Sequence, residues 1–161
     1  MLAGKEEHMR ALIQRVSHAR ITIDRDVERS IGRGYVILLG IGHEDDAACV
    51  GVLWNKIARL RIFDDGNGKA NLSLADIGGD VLIVSQFTLY ANCRRGARPS
   101  FSNAARPDAA IPLYETFVAA ARADVDHVET GEFGADMQVE LENDGPFTIW
   151  LDTDDLAIGR R

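Results

Sequence analysis

The chain has 161 residues, 46% of them hydrophobic, enough for one domain with a sizeable core and too few for a second. Its net charge of −7 argues against a protein that grips nucleic acid over its whole surface, and no stretch approaches the roughly eighteen apolar residues of a membrane helix. Two cysteines, Cys49 and Cys93, cannot make a disulfide framework, and no charged-then-apolar leader opens the chain, so a soluble, unexported protein of the reducing cytoplasm is expected.

Residues 1–8 are polar, precede a second methionine and show no periodicity. They are expected to be an extension outside the fold, followed by one domain over 9–153 and a tail over 154–161. From Met9, the residues Ala11, Ile13, Val16, Ala19, Ile21 and Ile23 alternate with polar ones, predicting a hairpin or bent strand pair whose next turn is Asp24-Arg25-Asp26. The run from Ile31 to Ile41 is too apolar for an edge and predicts a core strand. Glu44-Asp45-Asp46 then marks a helix start, where acids complement the dipole, and Val50, Leu53, Trp54, Ile57 and Leu60 recur at helical spacing. Trp54 is expected to pack rather than to act as a stacking platform. Arg61-Ile62-Phe63 is strand-like and Asp64 to Lys69 is turn chemistry; the glutamate and flanking helices of a calcium loop are missing.

The stretch Val81 to Tyr90 is central. Four branched apolar residues after Gly78-Gly79 predict a strand buried on both faces, continuing into Ser85, Gln86, Phe87 and Thr88. Alternation along a continuous strand would put Ser85 and Phe87 on one face, and Gln86, Thr88 and Tyr90 on the other. A rigid strand end is a good place to build a site. Beyond it, Arg94, Arg95, Arg98 and Arg106 lie in a stretch without acids, so an anionic partner would be met at one place on an otherwise acidic chain. Pro107 fits a first helical turn, with Ile111, Tyr114, Phe117, Val118 and Ala121 on one face. Strand-like pieces follow at 127–130, 137–141 and 147–151. By spacing alone, Glu142 to Pro146 between the last two is an ordinary hairpin turn. Many strands with two amphipathic helices inserted predict an α+β fold with largely antiparallel sheets.

The chemistry is constrained by what is missing. There is no G-x-S-x-G elbow and no His or Asp paired by motif to a serine, and neither cysteine sits in an activating context. Thr88 is the nearest candidate nucleophile, or else a hydroxyl that positions substrate. His8, His18, His43 and His127 make no H-x-x-x-H pattern, so no metal and no cofactor is expected.

Ser85-Gln86-Phe87-Thr88-Leu89-Tyr90, the loop from Arg94 to Ser102 and Asn143-Asp144-Gly145-Pro146-Phe147-Thr148, in this order and spacing, resemble the bacterial and eukaryotic D-aminoacyl-tRNA deacylase family. Asn71-Leu72-Ser73-Leu74 and Phe133-Gly134-Ala135-Asp136-Met137 extend the resemblance over Met9 to Asp152. It implies a barrel-like α+β homodimer with its active sites at the subunit interface. The implied activity is metal-free hydrolysis of the ester joining a D-amino acid, or glycine on tRNA(Ala), to the terminal adenosine of tRNA. Gly145-Pro146 would be a cis pair inserted into the partner's site, rejecting L side chains against backbone. The family commonly has a small β-branched residue where this chain has Phe147.

For that reaction the expected catalytic stretch is Ser85, Gln86, Phe87 and Thr88, with the backbone N–H groups of Gln86 and Phe87 as oxyanion donors. Arg94, Arg95 and Arg98 would meet RNA phosphates or form a solvated loop. Phe133 and Met137 would lie against the terminal adenine or pack in the core. The alternative is a non-catalytic nucleic-acid-binding module using the Arg94 to Arg106 loop.

Overall fold

The computed structural model describes residues 8–156; the expected extension apart from His8, and the part of the expected tail after residue 156, lie outside them. One strand organises the sheet. β1 (Arg10–Ile23) pairs antiparallel along its whole length with β8 (Met137–Asp152). On its other edge, its first half pairs with β3 (Gly34–Gly40) and its second half with β2 (Val27–Ile31). Beyond β3 come β6 (Asp80–Ser85) and β7 (Val128–Thr130), both added in parallel. The sheet is therefore mixed, nearly closed and barrel-like, where largely antiparallel pairing was expected; the parallel steps arise because helical crossovers separate β3, β6 and β7 in sequence. A small hairpin, β4 (Phe63–Asp64) and β5 (Ala70–Leu72), stands apart.

Two large helices, α1 (Ala47–Arg59) and α3 (Pro107–Asp124), and the four-residue α2 (Leu74–Ile77) complete the regular structure. α1 begins where its acids predicted, with the Asp46 carboxylate accepting from the Cys49 N–H at 3.2 Å. Its apolar face, Val50, Leu53, Trp54 and Ile57, packs with Phe117 and Ala121 of α3 on Ile13, Ile37 and Leu39 of the sheet. Trp54 packs edge-on to Phe117 with its indole N–H donating to Asp124 at 2.8 Å, as a packing role requires. Each fully buried aliphatic side chain of this layer contributes about 1.5–3 kcal/mol. The opposite face of the sheet holds a second cluster, Val16, Ile21, Ile31, Val36, Leu82 and Val84.

Three expected elements differ. Residues 10–23 are one long strand rather than a strand pair, and the predicted turn follows it: Asp24 and Arg25 both have positive φ (52° and 56°), and the Asp26 N–H bonds the Ile23 carbonyl at 3.0 Å. The apolar run at 31–41 is broken at Gly32-Arg33, so Ile31 ends β2 and Gly34 begins β3. Gly34 has no room for a side chain, since a Cβ there would lie 1.8 Å from the Asp80 carbonyl oxygen. The last two strand-like pieces are a single strand, β8, because β1 is long enough to pair with both.

Candidate active site

β6 ends at Ser85, and residues Phe87–Tyr90 form a turn of 3₁₀ helix rather than more strand. The cause is Tyr90, which is 1% exposed and shares its hydroxyl proton between the His8 carbonyl and the Gly40 carbonyl, the latter at 3.1 Å; only a glycine at position 40 leaves space, since a Cβ there would sit 2.8 Å from the tyrosine ring. The expected face-sharing of Gln86, Thr88 and Tyr90 therefore fails for Tyr90, which turns into the core. Gln86 and Thr88 do meet, with the Gln86 side-chain amide donating to the Thr88 hydroxyl at 2.5 Å.

The coil at the end of β6 opens a cavity of about 610 Å³. Ser85, Gln86 and Phe87 line it together with Phe101, Phe133 and Met137. The Phe87 and Phe101 rings meet at 75° with centroids 5.1 Å apart, which ties the arginine loop to the strand end. α3 is fixed to the same strand by the Tyr114 hydroxyl, which donates to the Ile83 carbonyl at 2.7 Å and whose pKa burial pushes up to about 12. Of the two expected oxyanion donors, the Gln86 N–H is already committed to the Leu39 carbonyl at 2.7 Å. The Phe87 N–H opens the 3₁₀ turn and bonds no backbone carbonyl outside it among the described residues, which leaves it as the available donor.

The arginines stand beside this cavity, not in it. Asn92 and Ser100 close their loop with paired backbone bonds of 2.7 and 2.8 Å, and Arg94, Arg95 and Arg98 line a separate recess with them. Arg94 also borders a larger open recess with Arg10 and Cys93.

Gly145 and Pro146 do not line the cavity either. Their peptide bond is cis, and they lie inside β8 rather than in a hairpin turn. Opposite them β1 contributes one residue, Arg15, between the pairs Gln14↔Thr148 and Val16↔Asn143, so four residues of β8 bulge against one. Arg15 is 4% exposed and holds the bulge through its whole guanidinium. Nε donates to the Asp144 carbonyl at 2.9 Å, Nη2 to the Gly145 carbonyl at 3.1 Å and Nη1 to the Ile62 carbonyl at 2.6 Å. The Asp64 and Asp144 carboxylates, each 3.3 Å away, supply countercharge, and the Phe147 ring covers the guanidinium at 4.6 Å. The aromatic ring at position 147 is thus a lid on a buried cation. Asn143 closes the bulge by donating to the Arg15 carbonyl at 2.9 Å and the Phe147 carbonyl at 3.1 Å.

Sequence reasoning missed Arg15. A signal existed, because the apolar alternation of β1 slips phase between Ile13 and Val16, and a phase slip within a strand marks a bulge. Among the described residues, His8, Asp45 and Cys49 also come together as a group able to hold a metal, away from the cavity lining.

The family model and the similar curated proteins agree on one family. The family model described as D-Tyr-tRNA(Tyr) deacylase matches residues 12–152. The chain is similar to a D-aminoacyl-tRNA deacylase of Clostridioides difficile (strain 630), 54% identical over 145 residues, covering 90% of this chain and 97% of that one. It is 56% identical over 153 residues to one of Chloroflexus aurantiacus, covering 95% and 96%. Among solved structures it resembles the c-Myc DNA Unwinding Element Binding Protein, with a TM-score of 0.83 and 37% identity over 89% of this chain and 97% of that one.

Proposed function

Because the chain belongs to the D-Tyr-tRNA(Tyr) deacylase family, we propose a mechanism in which its cavity holds the aminoacylated end of tRNA and a second subunit supplies the chirality filter. The reaction is hydrolysis of D-aminoacyl-tRNA, and the protein is an ester hydrolase. The observation that supports the mechanism best is the separation of its parts. Ser85, Gln86 and Phe87 line the cavity, with Thr88 outside the lining but bonded to Gln86, whereas Gly145-Pro146, held by Arg15, stands elsewhere on the same protomer.

A homodimer closes that gap. β8 is sixteen residues long and pairs only with β1 among the described strands; Val139 is 38% and Trp150 45% exposed on it, and Phe87 at the cavity is 54% exposed. A long strand with an open edge and exposed apolar residues needs a cover. A second copy that covers it brings its own Gly145-Pro146 to the cavity. An L side chain then meets backbone, while a D side chain points to solvent. Glycine, having no side chain, is accepted too, so glycyl-tRNA(Ala) is a substrate.

The chemistry is an attack by water on the ester carbonyl. The Phe87 N–H stabilises the oxyanion, and one such donor contributes on the order of 10²–10³ in rate. The vicinal 2′-hydroxyl of the terminal ribose takes the proton of the water as it passes its own to the leaving 3′-oxygen; the acyl–oxygen bond breaks, and free D-amino acid and tRNA leave. Ser85, Gln86 and Thr88 orient the ester. Phe133 and Met137 contact the terminal adenine, and Arg94, Arg95 and Arg98 contact phosphates without reading sequence. The work belongs in the cytoplasm, where charged tRNA is used.

The name of the solved relative, a DNA-unwinding-element binding protein, favours one second reading, a nucleic-acid-binding module on the Arg94 to Arg106 loop. Incubating D-aminoacyl-tRNA with a small molar fraction of protein separates the two. Many turnovers per subunit support the hydrolase, whereas protection of the ester in excess protein without turnover supports the binder.

A further inference from the structure

Where β1 begins, beside the start of α1, the chain is pinned to Thr153 near its far end and to Tyr90 of the 3₁₀ turn after β6. The Met9 N–H donates to the Thr153 hydroxyl at 3.1 Å, the Thr153 N–H donates to the Met9 carbonyl at 2.9 Å, and the Tyr90 hydroxyl bonds the His8 carbonyl. These bonds hold His8 against the first turn of α1. There its imidazole, the Asp45 carboxylate and the Cys49 thiol offer one ligand atom each, all within 4.8 Å of one another.

Two of these side chains have polar atoms with no use in the fold. Asp45 Oδ2 accepts from the Gly42 N–H at 2.7 Å, but Oδ1, like Nδ1 of His8, is buried without a hydrogen-bond partner among the described residues. Leaving such an atom buried and unpaired costs about 1–3 kcal/mol, more for a charge. Burial also pushes the Asp45 pKa up to about 6 and the Cys49 thiol upward. No arginine or lysine forms an ion pair with Asp45 among the described residues; the Nε2 of His8 is 3.8 Å from Asp154. The Asp45 carboxylate is therefore desolvated and has no cationic partner of its own among the described residues, the neighbouring Asp152 being paired with Arg10 at 3.1 Å.

We propose that His8, Asp45 and Cys49 form a binding site for a transition-metal dication of the zinc class, with a fourth position open to water. One nitrogen, one carboxylate oxygen and one thiolate suit a borderline-soft ion and discriminate against calcium and magnesium, which take oxygen ligands. Bonds of about 2.0–2.3 Å place tetrahedral ligands about 3.3–3.7 Å apart. The three side chains, already within 4.8 Å of one another, need to close by only about 1 Å. On binding, the Cys49 thiol gives its proton to solvent, His8 binds in its neutral form and Asp45 as the carboxylate, so affinity rises with pH. The site is distinct from the substrate cavity and acts as a clip between the chain start and α1.

Cobalt(II), alone, is the probe. The full chain, without an affinity tag and stripped with chelator, is titrated and followed by absorption, with zinc as competitor. One equivalent should bind with a thiolate-to-cobalt charge-transfer band and tetrahedral d–d bands. Both should persist in Cys93→Ser, vanish in Cys49→Ser, and be displaced by zinc. His8→Ala and Asp45→Asn should each weaken zinc by more than the 10–100-fold typical of losing an outer partner of a metal site (about that range). A second readout covers a Cys49 variant that does not fold: zinc should raise the melting temperature of the parent but not of His8→Ala, whose replaced ring is partly exposed. Absence of the charge-transfer band, its persistence in Cys49→Ser, or an equal zinc-induced shift in His8→Ala would each overturn the proposal.

Discussion

Replacing Arg15 with methionine tests whether the β8 bulge is held by one buried guanidinium. Methionine keeps the apolar stem and removes all four hydrogen bonds made to Asp144, Gly145, Ile62 and Asp64. The bond to Ile62 is buried, and leaving its carbonyl unpaired costs about 1–3 kcal/mol. The carbonyls of the exposed residues Asp144 and Gly145 return to water, and so do the Asp64 and Asp144 carboxylates, which are 54% and 49% exposed. The loss therefore falls at or below the low end of the roughly 3–5 kcal/mol expected for breaking a fully buried pair, at about 2–3 kcal/mol. Lysine should recover less than half, because its point charge cannot reach three carbonyls as a planar fork does.

The effect on activity should exceed the effect on stability. Freed of Arg15, residues 144–147 regain backbone freedom, which took about 1–2 kcal/mol per residue to restrict. A misplaced site group costs about 10²-fold in rate when the displacement is near 1 Å. Urea unfolding and D-tyrosyl-tRNA deacylation, measured on the same preparation, check both effects. A methionine variant as stable as the parent within about 0.5 kcal/mol, deacylating at the parent rate, would show that the guanidinium does not hold the bulge.

Three further outcomes are expected. Thr88→Ala should keep most activity, whereas a 2′-deoxy terminal adenosine should abolish it; single-turnover rates with both substrates decide whether the proton relay is the ribose or the protein. Arg25→Gly should stabilise the fold by about 0.5–1 kcal/mol in urea unfolding, because Arg25 holds a positive φ of 56° that glycine adopts without strain, and the exposed Arg25–Asp136 ion pair that is lost contributes little. His127 lies between Glu129 and Asp80, at 2.8 and 3.1 Å, and its hydrogen bond to Glu129 first, then that to Asp80, raises its pKa above the ordinary 6.5. The stabilisation from that raised value is complete below pH 6.5 and fades as pH rises through the folded-state pKa. His127→Gln should flatten that part of the stability–pH curve, and the ring's exposure keeps the effect small.

The elements that local chemistry determines were readable from the residues. Asp46 caps α1, Pro107 opens α3, Asp24-Arg25 turns β1 into β2, and Val81 to Val84 form a core strand. What failed depended on distant partners. Glu142 to Pro146 has turn composition, yet it stays within a strand because β1 pairs on both sides of it and Arg15 fills the bulge. Phe87 to Tyr90 looks like strand, yet it coils because Gly40 admits the Tyr90 ring. The cavity drew Ser85, Gln86 and Phe87 together with Phe133 and Met137, which stand far apart in sequence; the grouping of His8, Asp45 and Cys49 matches no spacing motif, since His8 arrives from a different segment.

The proposed mechanism requires D-selective hydrolysis at a cavity that Gly145 of a second copy approaches. A Cβ built on Gly145 meets nothing in its own protomer closer than Asn143 Oδ1 at 3.7 Å, so Gly145→Ala should fold and melt like the parent. The most direct measurement is the deacylation of D-tyrosyl- and L-tyrosyl-tRNA by catalytic amounts of the parent and of that variant. The parent should turn over the D ester alone, and the folded variant, whose added methyl group crowds the substrate, should show strongly reduced D turnover. Equal hydrolysis of both enantiomers by the parent, or a variant as active as the parent, would contradict that mechanism.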